Sequence, residues 1–167
     1  GIKQVQTKKN LIDVDSIILD ESGRSDEFVT KIFEWTGKNN LELLYRGTRD
    51  GMTSDKFHEK CDNKGPTICL YKNDKGHIFG GFASISWASE GGDRTEPKCF
   101  IFSLTNIYDS EPQKFNYNGN GRTVYHDKDY GPLFGGGNDI LIYEDFSSKD
   151  SYSNFPYLYS DSYGKEK

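Results

Sequence analysis

Cysteine is scarce in this chain of 167 residues, which holds only Cys61, Cys69 and Cys99. The count is odd and no two are spaced C-x-x-C, which excludes a paired disulfide framework and a zinc site. Reduced, mostly buried thiols in a cytoplasmic protein follow from the burial tendency of free cysteine. Positive charge is also in deficit: 21 Lys and Arg stand against 26 Asp and Glu, for a net charge of -5 and a pI of about 5.2. Such a surface lacks the electrostatic footprint of a nucleic-acid binder and is repelled by anionic lipid, so polynucleotides and direct membrane insertion are set aside. No apolar run reaches the roughly 18 residues of a membrane-spanning helix, and the N-terminal stretch has no signal-peptide core. The first residue is Gly1 rather than methionine, which reads as a chain separated from domains upstream.

What the chain has in quantity is aromatic residues and glycine. Hydrophobic residues make up only 34% of it, but eleven Tyr, eleven Phe and two Trp dominate the apolar volume. Aromatic side chains each bury a large area and suit a pleated surface. Eighteen glycines and five prolines supply frequent turns. Together these features favour a β-dominated domain over a helix bundle. A chain of this length buries about 70% of its unfolded surface, enough for one proper core.

The organising stretch is Thr67 to Trp87. Two β-rich runs, Thr67 to Lys72 and His77 to Trp87, flank Asn73-Asp74-Lys75-Gly76, whose residues tolerate the positive φ of a tight reversal, so a hairpin is expected. Alternation along the second arm puts Ile78, Gly80, Phe82, Ser84 and Ser86 on one face and Phe79, Gly81, Ala83, Ile85 and Trp87 on the other. Both faces carry apolar groups, the mark of a central strand covered on both sides.

Before the hairpin, residues 1–20 read as a linker or extended lead-in, with Ile12 to Leu19 lying extended, and residues 21–167 as the domain. A helix over Asp26 to Thr36, capped by Ser25 or Asp26, sets Phe28, Ile32 and Trp35 on one stripe and ends at Gly37. Leu41 to Arg46 is expected as a strand, Gly47 to Gly51 as a turn, and Ser54 to Cys61 as a short helix capped by Thr53. Beyond the hairpin, Ala88 to Lys98 reads as a loop, Cys99 to Leu104 as a strand buried on both faces, and Arg122 to His126 and Asp139 to Glu144 as further strands. Tyr130 to Asn138 is a glycine-rich loop, and the stretch past Asp145 a surface tail held by Phe155, Tyr157 and Leu158. The sum is an α+β domain: an antiparallel two-sheet β-sandwich with flanking short helices.

No residue is assigned a catalytic role and no cofactor is expected. A thiol enzyme would need Cys61 beside His58 and the carboxylates of Asp50 and Asp62, yet Cys61 shares the apolar stripe of its helix with Phe57, which favours packing over catalysis. His77 and His126 read as solvated. Asp127, Asp129, Asp139 and Glu144 are lesser calcium candidates, although no EF-hand spacing is present and loop acids are usually only solvated. Loops of Tyr, Asn, Asp and Gly would equally suit a sugar. Gly135-Gly136-Gly137 lacks the Lys-Ser or Lys-Thr of a P-loop and reads as backbone geometry. Arg46, Arg49 and Asp50 form a compact charge group of the kind found at protein interfaces. Those three residues and Gly135, Gly136 and Gly137 are the candidate partner-binding positions.

Leu43-Leu44-Tyr45, Gly51, Phe57, Gly65-Pro66-Thr67, Gly76, Phe79-Gly80-Gly81, Trp87, Phe100, Phe102, Leu104, Gly135-Gly136-Gly137 and Ser153-Asn154-Phe155 occur in an order that resembles the TLDc domain of eukaryotic oxidation-resistance, nuclear-receptor-coactivator and Rab-GAP-related proteins. The wording of Leu44 to Gly51 and of Tyr130 to Gly137 is closest to protist members. The resemblance implies a two-sheet sandwich and a non-enzymatic, cytoplasmic interaction domain. It further implies protection against oxidative stress and a partner among the subunits of the vacuolar proton-pumping ATPase, which would place the domain at the periphery of vacuolar or endosomal membranes. Asp50 stands where many animal members carry His, and the family's closing strand is expected to be missing because the chain ends at Lys167. A sheet without its last strand would present an unpaired edge.

Overall fold

The computed structural model describes residues 14–146, so the expectations for the first ten residues and for the tail at Phe155, Tyr157 and Leu158 lie outside the described residues. The chain divides into two units, Gly1–Leu43 and Leu44–Lys167.

In the first unit, Ser16 opens helix α1 (Ile17–Ser22) by accepting the Leu19 N–H on its hydroxyl, and Gly23, at φ +69°, closes it. The extended reading of Ile12 to Leu19 is thereby corrected over its last residues. A good N-cap outweighs the strand preference of Ile17 and Ile18, which costs a helix only tenths of a kcal/mol per residue. Helix α2 (Ser25–Thr36) forms where expected, with Phe28, Val29 and Ile32 fully buried and Gly37 as its left-handed terminus, but Ser25 and Asp26 lie inside it rather than capping it. Its N-cap is Arg24, without a capping side chain. Arg24 instead forks onto Glu27, donating from Nε at 2.8 Å and Nη2 at 2.6 Å, and lies over the Phe28 ring.

A difference from expectation falls across the boundary of the two units. Leu41 to Arg46 forms no strand. Leu44 and Tyr45 pack sideways against the core of the second unit, and the backbone then coils into the single turn α3 (Gly47–Asp50). Alternating apolar residues make a strand only where a neighbour can take the ladder hydrogen bonds. Helix α4 (Ser54–Cys61) follows as expected, with the Thr53 hydroxyl accepting the Lys56 N–H.

The hairpin forms from β1 (Thr67–Lys72) and β2 (Ile78–Ala83), with Leu70 opposite Gly80. Asn73 holds its turn by accepting the Lys75 and His77 N–H groups on Oδ1, while Gly76 sits at φ +83°. The second arm stops at Ala83, earlier than expected, because its next residues bond elsewhere: the Ser84 N–H to Cys99 Sγ, and Ser86 Oγ to the Gly65 N–H. Five more pairings complete the fold from β3 (Gly92–Arg94), β4 (Phe100–Ser103), β5 (Gln113–Asn116), β6 (Val124–His126), β7 (Leu133–Phe134) and β8 (Ile140–Leu141). Two antiparallel sheets result, ordered β1-β2-β4-β5 and β3-β6-β7-β8. The loop expected at Ala88 to Lys98 thus contains β3, and the glycine loop contains β7.

The two sheets share one core. Ala83, Ile101 and Phe115 of the first meet Val124, Phe134 and Ile140 of the second, with Phe57, Cys61 and Trp87 in the same cluster. Gly81 shows how close the approach is: a Cβ there would lie 2.5 Å from the Phe134 ring. Of the two faces that alternation gives β2, the one with Phe79 and Ala83 joins this core, and Ile78 and Phe82 on the other are buried as well, as a strand covered on both sides requires. Among the described residues no helix is long and apolar enough to cross a membrane.

Candidate functional site

Helix α4 places His58 at the base of the site. Its imidazole is buried, with Nε2 2.8 Å from the Asp127 carbonyl and 2.9 Å from the Tyr130 carbonyl, and Nδ1 2.7 Å from Asp62 Oδ1. Carbonyls only accept, so Nε2 carries a proton and donates it to both. Ser89 in turn donates to Asp62 Oδ2. The pairing of His58 with Asp62 that a thiol enzyme would need exists, but both ring nitrogens are engaged with oxygen atoms and neither is turned toward a thiol. Burial, the largest effect, pushes both Cys61 and Cys69 up to about 12, which keeps them as neutral thiols and poor nucleophiles. His58 is a clamp joining α4 to the 127–130 turn. Replacing it with Ala strips both carbonyls of this donor, and a loss of about 2 kcal/mol is expected. Urea unfolding measures it, and a change below about 0.5 kcal/mol, the scatter of ordinary surface substitutions, would contradict the clamp.

Above the clamp, the second sheet carries an open groove of about 530 Å³. Its floor follows from strand register. Val124 and His126 of β6 turn inward, so Tyr125 turns outward and stands opposite Leu133, which stands opposite Leu141. Tyr130 and Tyr143 rise beside this row with ring centroids 5.4 Å apart and perpendicular planes, and Tyr125 lies 6.4 Å from Tyr130. Tyr143 and Glu144 are held in place by their backbone: Ser54 N–H donates to the Glu144 carbonyl and Phe146 N–H to that of Met52.

Charge is distributed unevenly around the groove. Asp127, Asp129 and Glu144 line it together with Arg122. Asp127 Oδ1 accepts the Asp129 N–H at 2.9 Å and Oδ2 the Tyr125 hydroxyl at 3.3 Å. Arg122 donates to Asp93 Oδ1 at 2.7 Å, and its guanidinium lies 4.4 Å from the Tyr125 ring centre. Burial first, then the neighbouring Tyr143, Asp127, Tyr125 and Asp129, push the Tyr130 phenol above its ordinary range.

The sequence candidates are dispersed by the structure. Asp127, Asp129 and Glu144 come together in the groove, whereas Asp139 is fully buried against Gly135. A Cβ on Gly135, at φ +85°, would meet Asp139 Oδ2 at 2.0 Å, so this glycine serves close packing. Gly136 is exposed and Gly137 half-buried. Asp50 is occupied locally: Arg49 forks onto both its oxygens at 2.8 and 2.9 Å, and the Arg46 N–H donates to Oδ2. The Arg49 guanidinium first, then that backbone N–H, hold the Asp50 carboxyl well below its usual range. Among the described residues no three His, Cys, Asp or Glu side chains gather as a metal site requires. His126 is buried rather than solvated, because its strand turns it inward onto Trp87.

A second surface lies in the turn after β4. Ile107 is 71% exposed and Tyr108 55%. Asn106 braces them, its Oδ1 accepting from the Tyr108 and Ser110 N–H groups and its Nδ2 donating to Ser103 and Ser110 hydroxyls.

MTOR-associated protein MEAK7 of Danio rerio is 36% identical over 62 residues, covering 37% of this chain and 14% of that protein. For the same protein of Gallus gallus the values are 33% over 95 residues, 57% and 18%. For that of Homo sapiens they are 29% over 62 residues, 37% and 14%. The matched stretches thus span less than a fifth of these relatives. A family profile described as the TLDc domain matches residues 13–164, nearly the whole chain, and the chain belongs to that family.

Proposed function

We propose that this TLDc domain is a protein-interaction module without catalysis of its own, and that its partner is a subunit of the vacuolar proton-pumping ATPase, with protection against oxidative stress as the consequence. The observation that carries the interaction reading is the braced display of Ile107 and Tyr108. Two adjacent large side chains displayed on a turn whose backbone is fixed by Asn106 can meet a partner with little ordering of the chain, and aromatic or apolar anchors of this kind dominate binding energy. The relatives' name, which associates them with MTOR, supports an interaction role and supplies a second protein to look for. Affinity capture from eukaryotic cytosol is expected to recover ATPase subunits. Ile107→Ser should reduce that recovery about tenfold, as loss of an interface anchor does, with Tm unchanged because the side chain is exposed. Recovery of MTOR without ATPase subunits would replace the partner. Undiminished recovery by the variant would move the interface elsewhere, and recovery of neither protein would overturn the reading.

A further inference from the structure

We infer that the groove of Tyr125, Tyr130 and Tyr143 receives an arginine side chain from a peptide segment of the partner. The inference rests on the interaction reading above and adds a second contact, separate from Ile107 and Tyr108.

Three observations converge on a cation. The groove is lined by three tyrosines, and the face of such a ring, where the quadrupole is negative, attracts a cation. Its carboxylates outnumber its cations: Asp127, Asp129 and Glu144 line it against Arg122 alone, and Arg122 is answered by Asp93. Lys128 pairs with Asp129 from solvent, both groups well exposed, and such a pair yields readily to a better-placed cation. The site also already accommodates the proposed ligand chemistry, since the Arg122 guanidinium lies over the face of Tyr125. A planar guanidinium can stack on a ring and fork onto a carboxylate together, which an ammonium does not do. An anion would face the three carboxylates, and a purely apolar side chain would add no positive charge to a groove lined by three acids and one arginine.

The groove is also ready for such a ligand. Its floor is a cross-strand row in a sheet, and the 127–130 turn is pinned from beneath by His58. Little ordering of the protein would remain to be done on binding.

The test uses the 167-residue chain and a fluorescein-labelled peptide of alternating Arg and Gly, compared by anisotropy with versions carrying citrulline, Lys or Glu in place of Arg. Citrulline keeps the planar shape and removes the charge. The Arg peptide is expected to bind, to weaken as salt rises, and to lose at least about tenfold in affinity with citrulline, the scale of a cation–π contact with a charge-assisted hydrogen bond. The Lys peptide should bind more weakly and the Glu peptide not at all. Tyr143→Ala and Glu144→Lys, both at exposed positions, should each lower the affinity of the Arg peptide, with Tm unchanged for Glu144→Lys and lowered only slightly for Tyr143→Ala, which gives up its ring contact with Tyr130. Asp74→Lys in the β1–β2 turn, which changes the global charge equally but lies outside the groove, should not. Equal binding of the citrulline peptide, no binding of the Arg peptide, or equal losses in the Asp74 and Glu144 variants would overturn the inference. Failure here with ATPase capture intact removes the groove alone, whereas peptide binding without capture removes only the partner assignment.

Discussion

Trp87→Ala is expected to lower the unfolding free energy by about 3–5 kcal/mol, the range for deleting a buried large aromatic side chain. Trp87 is 1% exposed and touches three elements at once. Its ring centroid lies 5.7 Å from that of Phe57 on α4, 5.6 Å from that of Phe134 on β7 and 5.4 Å from that of His126 on β6. Its Nε1–H donates to Thr67 Oγ1 at 2.8 Å, and its backbone carbonyl accepts the Asn63 N–H. The residue therefore fastens helix to sheet and sheet to sheet. Truncation loses the transfer free energy and also leaves a cavity, because walls formed by strands held in register collapse poorly. Trp87→Phe separates the two contributions: it keeps most of the apolar volume, removes the bond to Thr67, and should cost about 1–2 kcal/mol. Denaturant midpoints at constant m-value measure both. A loss below about 1 kcal/mol for Trp87→Ala would mean that the core closes without this ring.

The hairpin could be read from sequence because local and global demands coincide there. Asn73 and Gly76 favour the reversal for their own reasons, and the apolar residues of β2 need burial on both faces, so neither preference opposed the tertiary structure. The α4 cap at Thr53 and the left-handed end of α2 at Gly37 are legible for the same cause. Leu41 to Arg46 was not, since its alternation specifies which side chains want burial and says nothing of whether a neighbouring strand is available. The groove was hidden for a related reason. Tyr125, Tyr130 and Tyr143 share no spacing, and they become neighbours only through the pairing of β6 with β7 and of β7 with β8. Strand β7 is two residues long and is followed directly by Gly135, so the stretch that creates the floor has the composition of a loop. The acids at the rim were visible as residue types, but only register separates Asp127, Asp129 and Glu144 from the buried Asp139.

Acidification should expose His126. The residue is 2% exposed, packs on Trp87, and neither ring nitrogen has a hydrogen-bond partner among the described residues. Desolvation, the largest effect, pushes it down to about 4, with Arg94 and His58 acting in the same direction and Asp62 opposing. In the unfolded chain the imidazole titrates near its ordinary value of about 6.5. Between those two values the unfolded state binds more protons than the folded one, so stability falls as pH falls through this window and is unaffected above it. The full difference of about 2.5 units corresponds to roughly 3 kcal/mol lost by about pH 4. His126→Phe, which keeps a planar ring against Trp87 and removes both unpaired nitrogens, should be at least as stable as the parent at neutral pH. Its unfolding free energy should also decline less between about pH 6.5 and about pH 4. Carboxylates such as Asp50 titrate in both proteins, so the difference between the two profiles isolates the imidazole. Parallel profiles across that window would show that His126 reaches solvent in the folded protein, and with it that the inward face of β6 is less dry than its neighbours Val124 and Phe134 require.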